Sequence, residues 1–494
     1  MHIFNIKYAL PTSGDKRWSP SQVNPKYVDN STQKGPIAPQ IPSTNPLLQV
    51  QDQAVPEQSE DCLNLNIYVP EGDATPKNLP VMLWIHGGGF QIGSGALPEY
   101  DGMGLAQHKQ VIVVSINYRL GCLGFLRLTD VTDGNIPSTG NEGLLDQITA
   151  LKWIQKNIHQ YGGNKHNVTV FGESAGAMSI ACLLAIPKAN QLFSKAILQS
   201  GAGHTHSSIE KANAVAKEFI KSAETLGYSI EDLPTLNTLE LMKIQGAFLA
   251  QPAIYQQFGI LPFTPVIDGD LLLEPPYQAI AKGCAKHINI IAGSNTDEWN
   301  FFAAMLKQNI PDTITLKKTI MPLFGEHNIE PFIDWAQMQL STSNEPKVNA
   351  DKENQKLTPQ QVLNTIYTQY WFNEPCHRLL KGHSDSGGKA YGYKLGRRSP
   401  IASLGCTHVA DIGYIFDTTN TLFHGDAPRV NELTTEMQDQ WGHFAHHGEP
   451  QSNWPDYSEN TLISFGHVKT STMKVEDRTV TLWSTLADHL LSSF

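Results

Sequence analysis

Cysteine is scarce in this chain: six in 494 residues, at positions 62, 122, 182, 284, 376 and 406. No two sit at the C-x-x-C spacing of a zinc or redox site, and their dispersal predicts mostly buried thiols with no disulfide framework. Basic residues are short too. Lys and Arg number 36 against 47 Asp and Glu, a net charge of −11. The chain therefore lacks the positive footprint that binds nucleic acid or anionic membrane surfaces. No apolar run approaches the roughly 18 residues needed to cross a bilayer. The opening residues, MHIFNIKYAL, hold no apolar stretch ahead of a small-residue cleavage site, so a cytoplasmic location is expected. Glycine (39) and proline (30) are at ordinary levels, which removes collagen-like and low-complexity readings.

What is present is a pattern of short apolar runs and glycine turns. Residues 11–60 are rich in Pro, Ser, Gln and Asn and read as extended segments and loops. Strands are expected at 63–69, 81–86, 111–117 and 168–171, and again at 288–292 and 390–395. Leu144, Ile148, Leu151, Ile154 and Ile158 fall on one face of a helix between two of them. Residues 205–250 and 300–375 read as helical with polar loops, and helices at 431–446 and 479–491 close the chain. Apolar strands separated by a helix predict an α/β protein with a mostly parallel sheet covered on both faces.

Gly172-Glu173-Ser174-Ala175-Gly176 fits G-x-S-x-G. A chain this long contains that pattern by chance roughly one time in five, so its context decides. It follows the β-branched run 168–171 and precedes the small and aliphatic residues 175–185. A strand, sharp turn and helix would push the hydroxyl of Ser174 outward, with flanking glycines because a Cβ would collide with neighbouring elements. Upstream, His86-Gly87-Gly88-Gly89 directly follows the predicted strand 81–85. Backbone N–H groups there, with that of Ala175, could hold the oxygen of a tetrahedral intermediate. A phosphate-cradling loop is the bland alternative, but no Lys-Ser/Thr follows it. Serine needs a base and an orienting acid. In the order Ser, acid, His, two segments qualify: 293–298, where Asp297 and Glu298 cannot be separated, and 406–408. His204, His206, His424, His446 and His447 compete with His408.

The chain resembles the type-B carboxylesterase/lipase family, which includes cholinesterases and bacterial broad-specificity esterases. Phe4-Asn-Ile-Lys-Tyr-Ala9 with Trp18 is similar to an early family segment, and Ser59-Glu-Asp-Cys-Leu-Asn-Leu-Asn66 to its E-D-C-L signature. Gly140-Asn-Glu-Gly-Leu-Leu-Asp-Gln147, Tyr161-Gly-Gly163, Phe171 to Gly176, Thr264-Pro-Val-Ile-Asp-Gly269 and Trp454-Pro-Asp-Tyr457 continue it. The resemblance spans nearly the whole chain and implies one α/β-hydrolase domain over residues 1–494, with helical insertions around 205–260 and 300–380. It implies Ser174 as nucleophile, Glu298 as acid and His408 as base, with Gly88, Gly89 and Ala175 at the oxyanion hole. Glu173, Ser200 and Asp411 match polar positions around them. It implies hydrolysis of a small-molecule ester with neither cofactor nor metal.

The chain also departs from the family. Cys62 has no partner where the family's disulfide would be, which agrees with a reducing compartment. Residues 45–58 contain no Trp, Tyr or Phe, so a choline-binding ring is not expected there. Trp299 replaces the glycine after the acid, which predicts a narrowed pocket or a displaced Glu298. The family's first strands, ahead of Phe4, are missing. Sequons at Asn30 and Asn167 are uninformative. The competing readings are an inactive cholinesterase-like binding module, which characteristically loses the nucleophile, and a lipase for long acyl chains, for which no amphipathic lid is visible.

Overall fold

The computed structural model describes residues 1–25, 32–42, 56–72, 78–325, 327–342, 357–466 and 468–492. Asn30 and most of the 45–58 segment lie outside the described residues. Among those described, ten strands form one sheet. They are β1 (His2–Lys7), β2 (Asn64–Tyr68), β3 (Leu79–Ile85), β4 (Ile112–Ile116), β5 (Gly163–Glu173), β6 (Lys195–Gln199), β7 (Asn289–Asn295), β8 (Ala390–Leu395), β9 (Thr461–Phe465) and β10 (Thr470–Lys474). Their order is β1-β2-β4-β3-β5-β6-β7-β8-β9-β10. The run from β4 to β9 is parallel, and β1, β2 and β10 add antiparallel edges.

Alternation along the strands sorts side chains into two cores, as a sheet buried on both faces requires. Leu83, Ile85, Val114, Val170, Leu198 and Ile290 join one cluster. Met82, Trp84, Val113, Phe171, Ile197 and Ile291 join the other. Four strands have no counterpart among the expected ones: β1, β6, β9 and β10. β9 and β10 are short and rich in Ser and Thr. His2–Lys7 pairs with β2, so Phe4 itself lies in the edge strand rather than after it. The expected helix at 479–491 is instead a short helix, Asp477–Trp483, followed by turns and a single 3-10 turn at Leu490–Ser492.

Two of the family-like segments hold the frame. Glu60 accepts from Arg17 through Nε at 2.8 Å and Nη2 at 2.6 Å. Asp146, on the helix Glu142–Asn157, accepts from Arg119 Nε and Nη2, both at 2.8 Å. Both members of that second pair are almost completely buried. Removing one charge strands the other, so Asp146→Ala is expected to destabilise the fold by about 3–5 kcal/mol. Equilibrium urea unfolding against the wild type checks this, and a loss under about 1 kcal/mol would contradict it.

Candidate active site

The functional residues sit at the C-terminal ends of the parallel strands, where open α/β sheets place their ligands. Strand β5 runs into Ser174, which begins the helix Ala175–Ala185 with φ 52° and ψ −122°. That conformation is strained for serine and holds only because its surroundings fix it. A Cβ on Gly176 would lie 2.0 Å from the carbonyl oxygen of Ile85; only glycine lets helix and strand approach so closely. Strain recurs in the adjoining loops, at Phe90 (φ 62°), Ser200 (φ 51°) and Val409 (φ 65°). A β-branched residue at positive φ is a genuine outlier.

After β3 the glycine loop turns at Gly88, whose φ is +103° and whose added Cβ would meet the Ile92 carbonyl oxygen at 2.1 Å. Its carbonyl accepts from the amides of Gln91 and Ile92. Gly87 packs against Ser174: a Cβ there would lie 3.2 Å from the Ser174 Cβ. The amides of Gly88 and Gly89 find no acceptor among the described residues. Backbone donors beside a strained serine with no protein acceptor are available to an oxygen of a bound molecule. Ala175, whose amide completes the expected trio, is buried at the first turn of its helix.

Glu298 follows β7. Its Oε2 lies 2.6 Å from His408 Nδ1. Its Oε1 accepts from Ser200 Oγ and from the Asn295 amide, each at 2.6 Å. Of the two carboxylates that spacing left open, it is Glu298, the one the resemblance implies, that meets His408. Asp297 instead accepts from the Cys406 amide at 2.9 Å and from Thr296 Oγ1 at 3.1 Å, which ties the His408 loop to β7. Among the histidines, His204 stacks on Tyr277, His424 bonds the Ala410 carbonyl and His446 the Lys109 carbonyl. None of these contacts involves the serine turn.

His408 Nε2 lies 3.0 Å from Glu173 Oε1, and neither atom has a well-formed hydrogen-bond partner. No Ser174–His408 hydrogen bond is formed among the described residues. The His408 imidazole therefore rests facing the carboxylate next to the serine. Asp411, one turn on, accepts from Gln199 Nε2 at 2.9 Å and Tyr393 OH at 2.8 Å; neither partner is marked by any local sequence motif. The rings of Phe302 and Phe372 each lie 5.0 Å from that of His408, and Phe301 lies at 5.9 Å. They wall the imidazole with apolar surface. Burial raises the pKa of Glu173. Burial alone would lower that of His408, but Glu173, then Glu298 and Asp411, outweigh it and hold it above the usual imidazole value.

Trp299 does not displace Glu298, which stays in contact with His408. Its amide donates to Thr368 Oγ1 and its indole to Gln308 Oε1, both at 3.0 Å. Its ring packs edge-on to Tyr367 and lines a 430 Å³ cavity with Phe258, Ile260 and Trp371.

The model of the Carboxylesterase family matches residues 2–483. The chain belongs to the carboxylesterase family. It is 34% identical over 470 residues to para-nitrobenzyl esterase of Bacillus subtilis strain 168, covering 92% of this chain and 88% of that one. It is 31% identical to mouse (Mus musculus) cholinesterase, over 92% of this chain and 77% of the other. Among solved structures, the Geobacillus stearothermophilus carboxylesterase Est55 superposes with a TM-score of 0.81 at 31% identity, covering 98% and 96% of the two chains. A PNB esterase gives 0.78 at 31% identity, over 98% and 95%. The fold is that of an α/β-hydrolase, and the protein is a serine carboxylesterase: a carboxylic-ester hydrolase. No described helix of this carboxylesterase is long and apolar enough to cross a membrane.

Proposed function

We propose that this carboxylesterase works through an acyl-enzyme formed on Ser174, with His408 as base, Glu298 as orienting acid and the amides of Gly88, Gly89 and Ala175 as oxyanion donors. The observation that carries the reading is the 2.6 Å bond between His408 Nδ1 and Glu298 Oε2 at the strand end beside the strained serine. Glu298, fixed through Oε1 by two donors, keeps the Nδ1 proton and leaves Nε2 free to accept. Substrate entry draws Nε2 from Glu173 to the Ser174 hydroxyl, and apo geometry of this kind tightens in the reactive complex. Ser174 attacks the ester carbonyl as His408 takes its proton. His408 then protonates the departing alcohol and later activates water to release the acid.

The apolar rings around His408 favour uncharged esters of small to medium size. An arylmethyl ester, the class named for the Bacillus subtilis relative, is a suitable first substrate. Six free thiols fit a reducing compartment, and we place the enzyme in the cytoplasm; cell fractionation tests this. Fluorophosphonate labelling tests the nucleophile. A single adduct on the peptide carrying Ser174 is expected, whereas a binding module without nucleophilic chemistry would stay unlabelled.

The charge balance at His408 sets the pH profile. Base catalysis needs the neutral imidazole, so a raised pKa places the acid limb of kcat/KM above pH 6.5. Glu173→Gln removes the largest charge holding the proton on His408, and the limb is expected to move down by on the order of 1 pH unit. Profiles of wild type and variant check this. A limb that stays in place would show that Glu173 does not govern the base.

A further inference from the structure

A cavity of 1100 Å³ is lined among others by Ser294, Asp297, Asn373, Leu380, Lys394 and Trp335. Neither Ser174 nor His408 lines it. Lys394 and Ser294 are register partners on β8 and β7. Between them comes Asn373, from a π-helical turn, Gln369–Asn373, a local widening that is frequent at functional sites. Asn373 Oδ1 accepts from Lys394 Nζ at 2.5 Å and from Ser294 Oγ at 2.8 Å. Ser294 Oγ itself lies 3.4 Å from Nζ.

The ammonium thus has only neutral partners. No carboxylate pairs with it among the described residues. The nearby acids are engaged elsewhere: Asp297 with the Cys406 amide, Glu374 with Arg378 and Glu298 with His408. A lysine drawn into a protein is ordinarily paired. Burial lowers its pKa to about 8, with the field of Glu298 working against that fall, so it stays charged at neutral pH. A lone ammonium is a point charge without the fork that selects phosphate, and it matches a single negative charge. Leu380, Trp335, Leu462 and Val475 give the same cavity an apolar wall suited to an aliphatic tail.

We propose that this cavity is a second, non-hydrolytic site that binds the carboxylate of an aliphatic acid through Lys394, with Ser294 and Asn373 positioning the ammonium. The site goes beyond ester hydrolysis but adjoins it: Phe372, next to Asn373, packs on the His408 ring at 5.0 Å. Such an acid has two sources, a short acid released by the enzyme's own turnover and a longer free acid.

Calorimetric titration of the full-length protein with acetate and with octanoate separates them. Octanoate is expected to bind in the millimolar range or tighter, and more tightly than acetate, because only its tail reaches the apolar wall. Tighter binding of acetate would contradict the tail's place in the site. Lys394→Gln should weaken octanoate at least about tenfold, and Lys394→Arg, which keeps the charge, less than about threefold. Ser174→Ala should leave it unchanged, and its loss of hydrolysis is scored separately as a test of the nucleophile. Thermal melts of both Lys394 variants establish that they are folded. Octanoate binding that survives Lys394→Gln, that disappears in Ser174→Ala, or that is absent from the wild type would overturn the proposal.

Discussion

With Ser174 replaced by alanine, kcat on a p-nitrophenyl acyl ester is expected to fall about 10⁴–10⁶-fold. The size of the effect follows from covalent catalysis. Without the hydroxyl no acyl-enzyme forms, and only the amide donors and the bound geometry remain to assist attack by water. The substitution itself is mild. Ser174 donates its backbone amide to the Gln199 carbonyl at 2.9 Å, a bond alanine keeps, and its side chain holds no other element in place. Stability should therefore change little, and the urea midpoint of the variant checks that. Full activity in purified Ser174→Ala would remove the nucleophile from the mechanism.

Glu298→Gln carries the next largest effect, about 10⁴-fold in kcat. The reason lies in the two donors at Oε1. Ser200 Oγ and the Asn295 amide both point at that atom, so a glutamine settles with its oxygen there and its NH2 toward His408. Nδ1 must then accept, the proton moves to Nε2, and the imidazole holds the tautomer that cannot take a proton from serine. KM should stay within a few-fold, since the acid touches no substrate. Steady-state kinetics on the same ester measure both constants. A variant with near-normal kcat would show that the tautomer is set by something other than Glu298.

The reach of the sequence can be traced through these same residues. The Ser174 turn and the glycine loop were legible because each is local: neighbouring glycines, a β-branched run before and a helix-forming run after. The parallel core was legible for a similar reason, since β3, β4 and β5 carry continuous apolar residues. For the acid, spacing alone leaves two adjacent carboxylates, and the family resemblance points to Glu298. Asp297 and Glu298 differ only in which way the chain turns after β7, and that depends on bonds from Cys406 and Asn295. His408 is one histidine of 18; only the return of a loop more than 100 residues downstream brings it to Glu298, and residue resemblance supplied what periodicity lacked. The edge strands β9 and β10 hid in polar sequence. Gln199, Tyr393 and the Lys394 cluster were invisible because each is built from strands distant in the chain. The rest position of His408 against Glu173 belongs to the same class: it is a balance of buried charges, with no sequence motif.

The central claim is that an ester's acyl group passes through the hydroxyl at the end of β5. Rapid-quench mass spectrometry during turnover of p-nitrophenyl acetate reads this directly. The account predicts one acetyl group on the peptide containing Ser174, appearing within the first turnover and absent from Ser174→Ala. Turnover with no covalent adduct, or with the acetyl group on another residue, would contradict it.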